Sequence, residues 1–304
     1  MAAVDLDGTL LHSDHQVADS TREYLQKLDQ KGFKIAIATG RAANTVFEHV
    51  VKLNFPHPLP VVCSNGARGL MCSVVNDDET SQVQVESTEL FSTPVPLPVV
   101  EQTIRLAQEM GFVTQYYAGD EIYADPSLPH HFDLTKQYME LTGSKTIYVE
   151  SGDFTRVIEE QGLPSKMLVL CRVEDQDRMI ERFESVLRQP ENRVVDDKPA
   201  HTIRGNLGFF MEILHPNVCK GHGLERMCQH LQTPMDECIA FGDGDNDYEF
   251  IRMAGRGIVM KNGRDVVKGV ADEVLDLTND EVSNVMREPS AVVSVDTTHQ
   301  SNVS

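Results

Sequence analysis

Apolar residues along this chain come in two patterns, and their alternation predicts the fold. "FKIAIATGR", "LPVVCSNGA", "ECIAFGDGDND" and "GIVM" open on nearly unbroken apolar runs, as expected for strands buried on both faces of a parallel sheet. Between them, "SDHQVADSTREYLQKLDQKGF", "ANTVFEHVVKLNF", "CKGHGLERMCQHL", "YEFIRMAG" and "VVKGVA" carry helical periodicity. In the first of these helices, Ser20 with Glu23 three residues on predicts a capping box, and Gly32 sits where a C-terminal glycine belongs. The first run, "AAVDLDGTLL", is short and ends in Asp-Gly. From Asp7 to Thr39 the chain has the roughly 30 residues that one βαβ crossover fills.

The rhythm breaks after "SNGA". Residues 73–88 are polar and alternating, and prolines cluster in "STPVPLPVV". Between about 85 and 200, helices ("VVEQTIRLAQEMG", "FDLTKQYMELTG", "EDQDRMIERFESVLRQ") mix with short strands ("FVTQYYAG", "DEIYAD", "SKMLVLCRV"), enough for an independent α+β unit. The α/β pattern resumes with "GFFMEILHP" and closes on "EVLDL". The predicted class is α/β: a Rossmann-like doubly wound parallel-sheet core with an inserted α+β domain. Its parts are core 1–84, insert 85–200, core 201–286 and a polar tail, 287–304, that reads as disordered.

Composition narrows the chemistry. Asp and Glu number 47 against 27 Lys and Arg, a formal charge of -20, which repels phosphate backbones and argues against nucleic acid. An anionic substrate would therefore need a local cation or backbone N–H groups. No apolar run approaches the roughly 18 residues of a membrane span, and no basic-plus-apolar leader is visible; the expected location is cytoplasmic, with no membrane partner. The 6 cysteines lack C-x-x-C or zinc spacing and read as reduced, buried thiols.

In open parallel sheets, ligands bind beyond the carboxyl ends of the strands. Asp5, Asp7, Thr39, Asn65 and Asp243 all follow such ends. Asp5 and Asp7 are close enough to repel, so they must be solvated, paired or bridged by a cation; Asp-Gly alone is equally a common turn. "FGDGDND" supplies Asp243, Asp245, Asn246 and Asp247. Its D-x-D-x-D spacing also opens EF-hand loops, but Tyr248 and Ala254 stand where the turn glycine and the bidentate glutamate belong. A site sharing carboxylates from two strand ends, with no His or Cys, points to Mg²⁺. Thr39-Gly40-Arg41 offers a hydroxyl and N–H groups at a predicted helix start, an anion site or a simple cap. Lys220 opens a helix, where the macrodipole disfavours a cation, so it is either a surface lysine or the partner of phosphate or a buried Asp.

"DLDGT", "ATGR", "CK" and "GDGDND", in this order, resemble the four motifs of the haloacid dehalogenase superfamily of phosphohydrolases. "SNGA", "GIVMKNG" and "VVKGVADEV" resemble its Cof-type sugar-phosphatase subgroup, whose α/β cap is inserted between the second and third motifs, where the extra domain falls here. The resemblance implies a Mg²⁺-dependent phosphatase acting on small phosphorylated metabolites, such as sugar phosphates or phosphorylated cofactors. It implies Asp5 as nucleophile forming an aspartyl-phosphate, and Asp7 as general acid and then base. Thr39, Gly40, Lys220 and Asn246 are implied as phosphate-binding, and Asp5, Asp7 (through its backbone carbonyl), Asp243 and Asp247 as the metal site. The two jobs of Asp5 and Asp7 need different protonation states and so environments that separate their pKa values. Two alternatives stay open: a phosphomutase of the phosphomannomutase type, which shares the cap position, and a phosphometabolite-binding sensor with vestigial activity. Oligomeric state is not readable. In the cap, Tyr116, Tyr117, His130 and His131 are candidates to face substrate.

Overall fold

The protein is described here from a computed structural model, which covers residues 1–76, 83–149, 153–205 and 208–285; the tail at 287–304 lies outside the described residues. The first strands are β1 (Ala2–Val4), β2 (Ile35–Ala38), β3 (Leu59–Cys63), β4 (Arg68–Asn76) and β5 (Val83–Ser92). The chain then makes β6 (Val113–Ala118), β7 (Glu121–Ala124), β8 (Ile147–Tyr148), β9 (Lys166–Leu170), β10 (His201–Arg204) and β11 (Phe210–Leu214). It finishes with β12 (Ile239–Gly242), β13 (Arg256–Val259) and β14 (Glu273–Val274). They form an eight-stranded sheet, ordered β14-β13-β12-β1-β2-β3-β4-β5, and a six-stranded sheet, ordered β10-β11-β9-β6-β7-β8.

From β14 to β3 the first sheet is parallel. Its apolar runs divide by the two-residue period of a strand. Ala2, Val4, Ile35, Ile37, Leu59 and Val61 join one core cluster, while Ala3, Ala36, Ala38 and Val62 join the cluster on the opposite face. Among the core helices are α1 (Asp19–Gln30), α2 (Phe47–Leu53), α7 (Lys220–His230), α8 (Tyr248–Met253) and α9 (Asp265–Lys268). The parallel core is thus the doubly wound arrangement expected.

Three expectations need correction. First, α1 begins at Asp19 with Ala18 as its extended cap residue, so Ser20 lies inside the first turn and no Ser20–Glu23 capping box sets the start. Second, Arg41 is not followed directly by an α-helix: Ala43–Thr45 is a 3₁₀ turn, and α2 starts at Phe47. Third, the boundaries at 85 and 200 move. Strand β5 pairs antiparallel with β4 and extends the first sheet, because Val74 and Val85, directly opposite each other in that ladder, pack onto the core. "GFFMEILHP" is not a core strand. It forms β11, paired antiparallel with β9 and β10, so the second sheet runs from β6 through β11.

The second sheet is antiparallel except for its β7–β8 pair. One face, with Tyr116, Met167, Val169, Met211 and Ile213, packs against α3 (Leu97–Met110) and α6 (Gln176–Leu187). The opposite face carries Tyr117, Leu168 and Leu170 and packs on Ala42 of the first domain. The inserted domain therefore sits over the carboxyl edge of the parallel strands as a cap.

Candidate active site

After β1 the chain turns sharply, with Leu10 N donating to Asp5 O at 3.1 Å and Leu11 N to Leu6 O at 2.9 Å. Gly8 makes this turn at φ 79°. A Cβ there would come within 2.7 Å of the Asp243 carboxyl carbon, so glycine is needed both for its backbone conformation and for the close approach of the two strand ends. Thr9 completes that approach by donating its hydroxyl to Asp243 Oδ1 at 2.8 Å. The sequence reading had not singled out Thr9.

Asp5 is buried at 5% exposure and Lys220 at 1%. Lys220 Nζ donates to Asp5 Oδ1 at 2.6 Å and to Asp247 Oδ1 at 2.7 Å. The other Asp247 oxygen accepts from the amides of Asp243 and Gly244, both at 2.9 Å. Of the two readings for Lys220, the surface lysine is thereby excluded. The helix-opening cation is held by two buried carboxylates.

Carboxylate oxygens of Asp5, Asp243 and Asp247 all lie within 4.8 Å of one another. Three acids share one ammonium, and the imbalance appears at Asp5 and Asp243. Burial, and then Asp247, raise Asp5 well above the usual carboxylate range, more than Lys220 can offset. Burial and Asp247 likewise push Asp243 up to about 6. The donor set is all hard oxygen, and the charge excess is what a divalent cation balances. These residues fit Mg²⁺. The Asp7 carboxylate is outside this group, so only its main chain could serve such an ion.

Asp7 is instead gripped by Arg41, which donates through Nε at 2.7 Å and Nη2 at 2.6 Å, with His15 Nδ1 at 3.4 Å. Burial works to raise Asp7, but the Arg41 hydrogen bonds and charge prevail and hold it below its ordinary value. The environments do separate Asp5 from Asp7. They do so with the expected nucleophile raised and the expected acid lowered, the reverse of what those roles need.

Beyond β2, Thr39 is buried, and its hydroxyl accepts from Arg41 N at 3.2 Å. Asn65, at the end of β3, donates from its own backbone to Thr39 O at 3.1 Å. Its side chain accepts from Asn246 Nδ2 at 2.9 Å. Asp5, Asp7, Thr39, Gly40, Asp243 and Asn246 all line one cavity of about 300 Å³ between core and cap, with Lys220 and Asp247 immediately behind Asp5. The eight residues that the resemblance implies as nucleophile, acid–base, phosphate-binding or metal-binding thus lie together.

The cap lines the same cavity with Tyr117, Tyr138, Lys166, Phe210 and Glu212. Of the four cap candidates only Tyr117 is among its lining residues. Tyr116 belongs to the opposite face and donates to Gly162 O at 2.6 Å. His131 bonds Gly111 O at 2.9 Å and stacks edge-on with His130, securing the start of α4 (Pro129–Thr142). Lys166 and Glu212 went unnoticed. Their signal was a single charge inside otherwise apolar strand sequences, "SKMLVL" and "FMEIL", where an unpaired ion would be prohibitive.

The family model for haloacid dehalogenase-like hydrolases matches residues 2–286. Over 287 residues the chain is 28% identical to 5-amino-6-(5-phospho-D-ribitylamino)uracil phosphatase YitU of Bacillus subtilis, covering 92% of this chain and 93% of that protein. It is 27% identical over 264 residues to an HMP-PP phosphatase of Cronobacter sakazakii, covering 86% of this chain and 84% of the other. A solved haloacid dehalogenase-like hydrolase from Bacteroides thetaiotaomicron shares the fold with a TM-score of 0.72 at 23% identity, over 94% of this chain and 97% of that one.

Proposed function

The chain belongs to the haloacid dehalogenase-like hydrolases, in their Cof-type subgroup, and from that premise we propose a Mg²⁺-dependent phosphatase that hydrolyses small phosphate monoesters through an aspartyl-phosphate on Asp5. The observation that carries this is the trio Asp5, Asp243 and Asp247 within 4.8 Å, with Lys220 bonded to two of them and Thr39 and Gly40 lining the same cavity as Asp5 and Asp243. Sugar phosphates or phosphorylated cofactors are the substrate class, in keeping with the phosphorylated small molecules on which the named relatives act. The free state of all six cysteines supports a reducing, cytoplasmic setting.

Asp5 and Asp243, with the Asp7 carbonyl, would hold the cation. Asp247 contributes charge and keeps Lys220 and the 243–244 amides in place. Such an ion would supply positive charge that offsets the carboxylates and lets an anionic phosphoryl group approach them. Lys220 occupies one oxygen of Asp5 and leaves the other to attack phosphorus. Thr39, the backbone of Gly40 and Asn246 orient the phosphoryl oxygens, so that most of the rate comes from positioning and charge.

Asp7, as Arg41 holds it here, is in its base form, suited to activating water in the second half-reaction. Its acid role in the first half requires the Arg41 pairing to loosen as substrate enters. The test is phosphate release by the purified protein from a broad panel of phosphorylated metabolites with and without Mg²⁺. Release that needs Mg²⁺ supports the reading; none from any member with Mg²⁺ present defeats it.

A further inference from the structure

The cap does not merely cover the site. Lys166 on β9 and Glu212 on β11 lie diagonally on the face of the cap sheet turned toward the core (Glu212 is opposite Leu168 and Ile213 opposite Met167), close enough for long side chains to meet. Lys166 Nζ donates to Glu212 Oε1 at 2.8 Å, and both residues are buried, at 2% and 8% exposure. Each then makes one bond across to the core. Lys166 Nζ donates to the Gly40 carbonyl at 2.9 Å, and Glu212 Oε2 accepts from Asn65 Nδ2 at 2.6 Å.

These core partners are not arbitrary. The Gly40 carbonyl belongs to the peptide whose N–H is that of Arg41. A planar trans peptide fixes one group when the other is fixed, so Lys166 sets where that N–H points. Asn65, gripped by Glu212, in turn holds Asn246. Gly40 is also packed hard against Asn65, since a Cβ on it would come 2.8 Å from the Asn65 side-chain oxygen. Both arms of the ion pair therefore end on groups that hold cavity-lining residues: the Gly40–Arg41 peptide, whose N–H donates to the Thr39 hydroxyl, and Asn65, which holds Asn246. With the cap lifted, neither arm has its core partner, and the pair would be hydrated instead.

We propose that Lys166 and Glu212 are a positioning pair that couples seating of the cap to assembly of the phosphoryl-binding loops at Gly40 and Asn65. The inference rests on the phosphatase reading above. A pair serving only packing would be replaceable by apolar side chains at no cost to folding and none to catalysis. A pair reading substrate hydroxyls would matter only for substrates that have them.

The test measures kcat and KM of wild type, Glu212→Gln and the double variant K166M/E212L. Substrates are p-nitrophenyl phosphate, which lacks hydroxyls, and the best sugar phosphate of the panel. The expected result is a double variant that melts no lower than wild type yet loses about 100-fold in kcat on both substrates alike. Lys166→Arg, which keeps the cation, should recover most of that loss. Wild-type turnover in the double variant, or loss confined to the sugar phosphate, would overturn the proposal. Should the double variant not fold, Glu212→Gln alone decides by the same criterion of an equal loss on both substrates. Inactive wild type would defeat the phosphatase reading itself, whereas active wild type with unaffected variants defeats only the coupling.

Discussion

Two lysines are buried in this protein at 1% and 2% exposure, Lys220 in the core and Lys166 in the cap, and their surroundings differ in one decisive respect. Lys220 bonds two carboxylates, with a third, Asp243, close by. Lys166 bonds one carboxylate and one carbonyl. The first arrangement has more carboxylates than cations, which on the proposed reading a bound divalent cation would balance. The second is neutral and complete once the cap rests on the core. Charge balance, rather than burial or hydrogen-bond length, separates a place for an ion from a fastening between domains.

The comparison breaks most sharply at Asp5. Replacing it with Asn should lower turnover by at least about 10⁴-fold with the fold retained, which phosphate release and circular dichroism together would show. Full activity in that variant would remove Asp5 as nucleophile. Lys220→Met comes next. It strands buried carboxylates and should cost about 3–5 kcal/mol of unfolding free energy in urea titration, whereas K166M/E212L, which removes both charges together, should cost little. Equal destabilisation of the two would erase the distinction drawn here.

Cation binding should stabilise only the first arrangement. Mg²⁺ at about 100 times its dissociation constant should add about 2.7 kcal/mol, read as a rise in melting temperature. The gain should vanish in Asp243→Asn and persist in K166M/E212L. The smallest effect belongs to the outer fastening of the cap, where Arg68 bonds the Gly119 carbonyl and Asp120. Glu89 and Asp120 are there about two-fifths exposed, and water can replace such bonds. Arg68→Ala should change kcat by less than about threefold, and a loss as large as that from the buried pair would show that any cap contact suffices.

The core half of the site was legible because its residues follow apolar runs. Asp5, Thr39 and Asp243 each end a strand, and a parallel sheet delivers strand ends to one edge whatever the helices between them do. Lys220 was legible through its unfavourable place at the head of α7. What escaped were pairings between segments far apart in sequence. Arg41 turning to Asp7, and Lys166 reaching Gly40, are set by tertiary packing that no local period encodes. Residues 85–92, 201–204 and 210–214 join the other sheet than the one expected for a related reason. An edge hairpin with one face exposed reads as loop, and an apolar cap strand such as β11 looks the same in sequence as a core strand.

The central claim is that Asp5 attacks phosphorus. Enzyme quenched during turnover of its best substrate and reduced with borohydride should yield a peptide in which Asp5, and no other aspartate, has become homoserine, because reduction traps an acyl phosphate at that carboxyl. Homoserine at a different residue, or its absence from an enzyme actively releasing phosphate, would contradict the account.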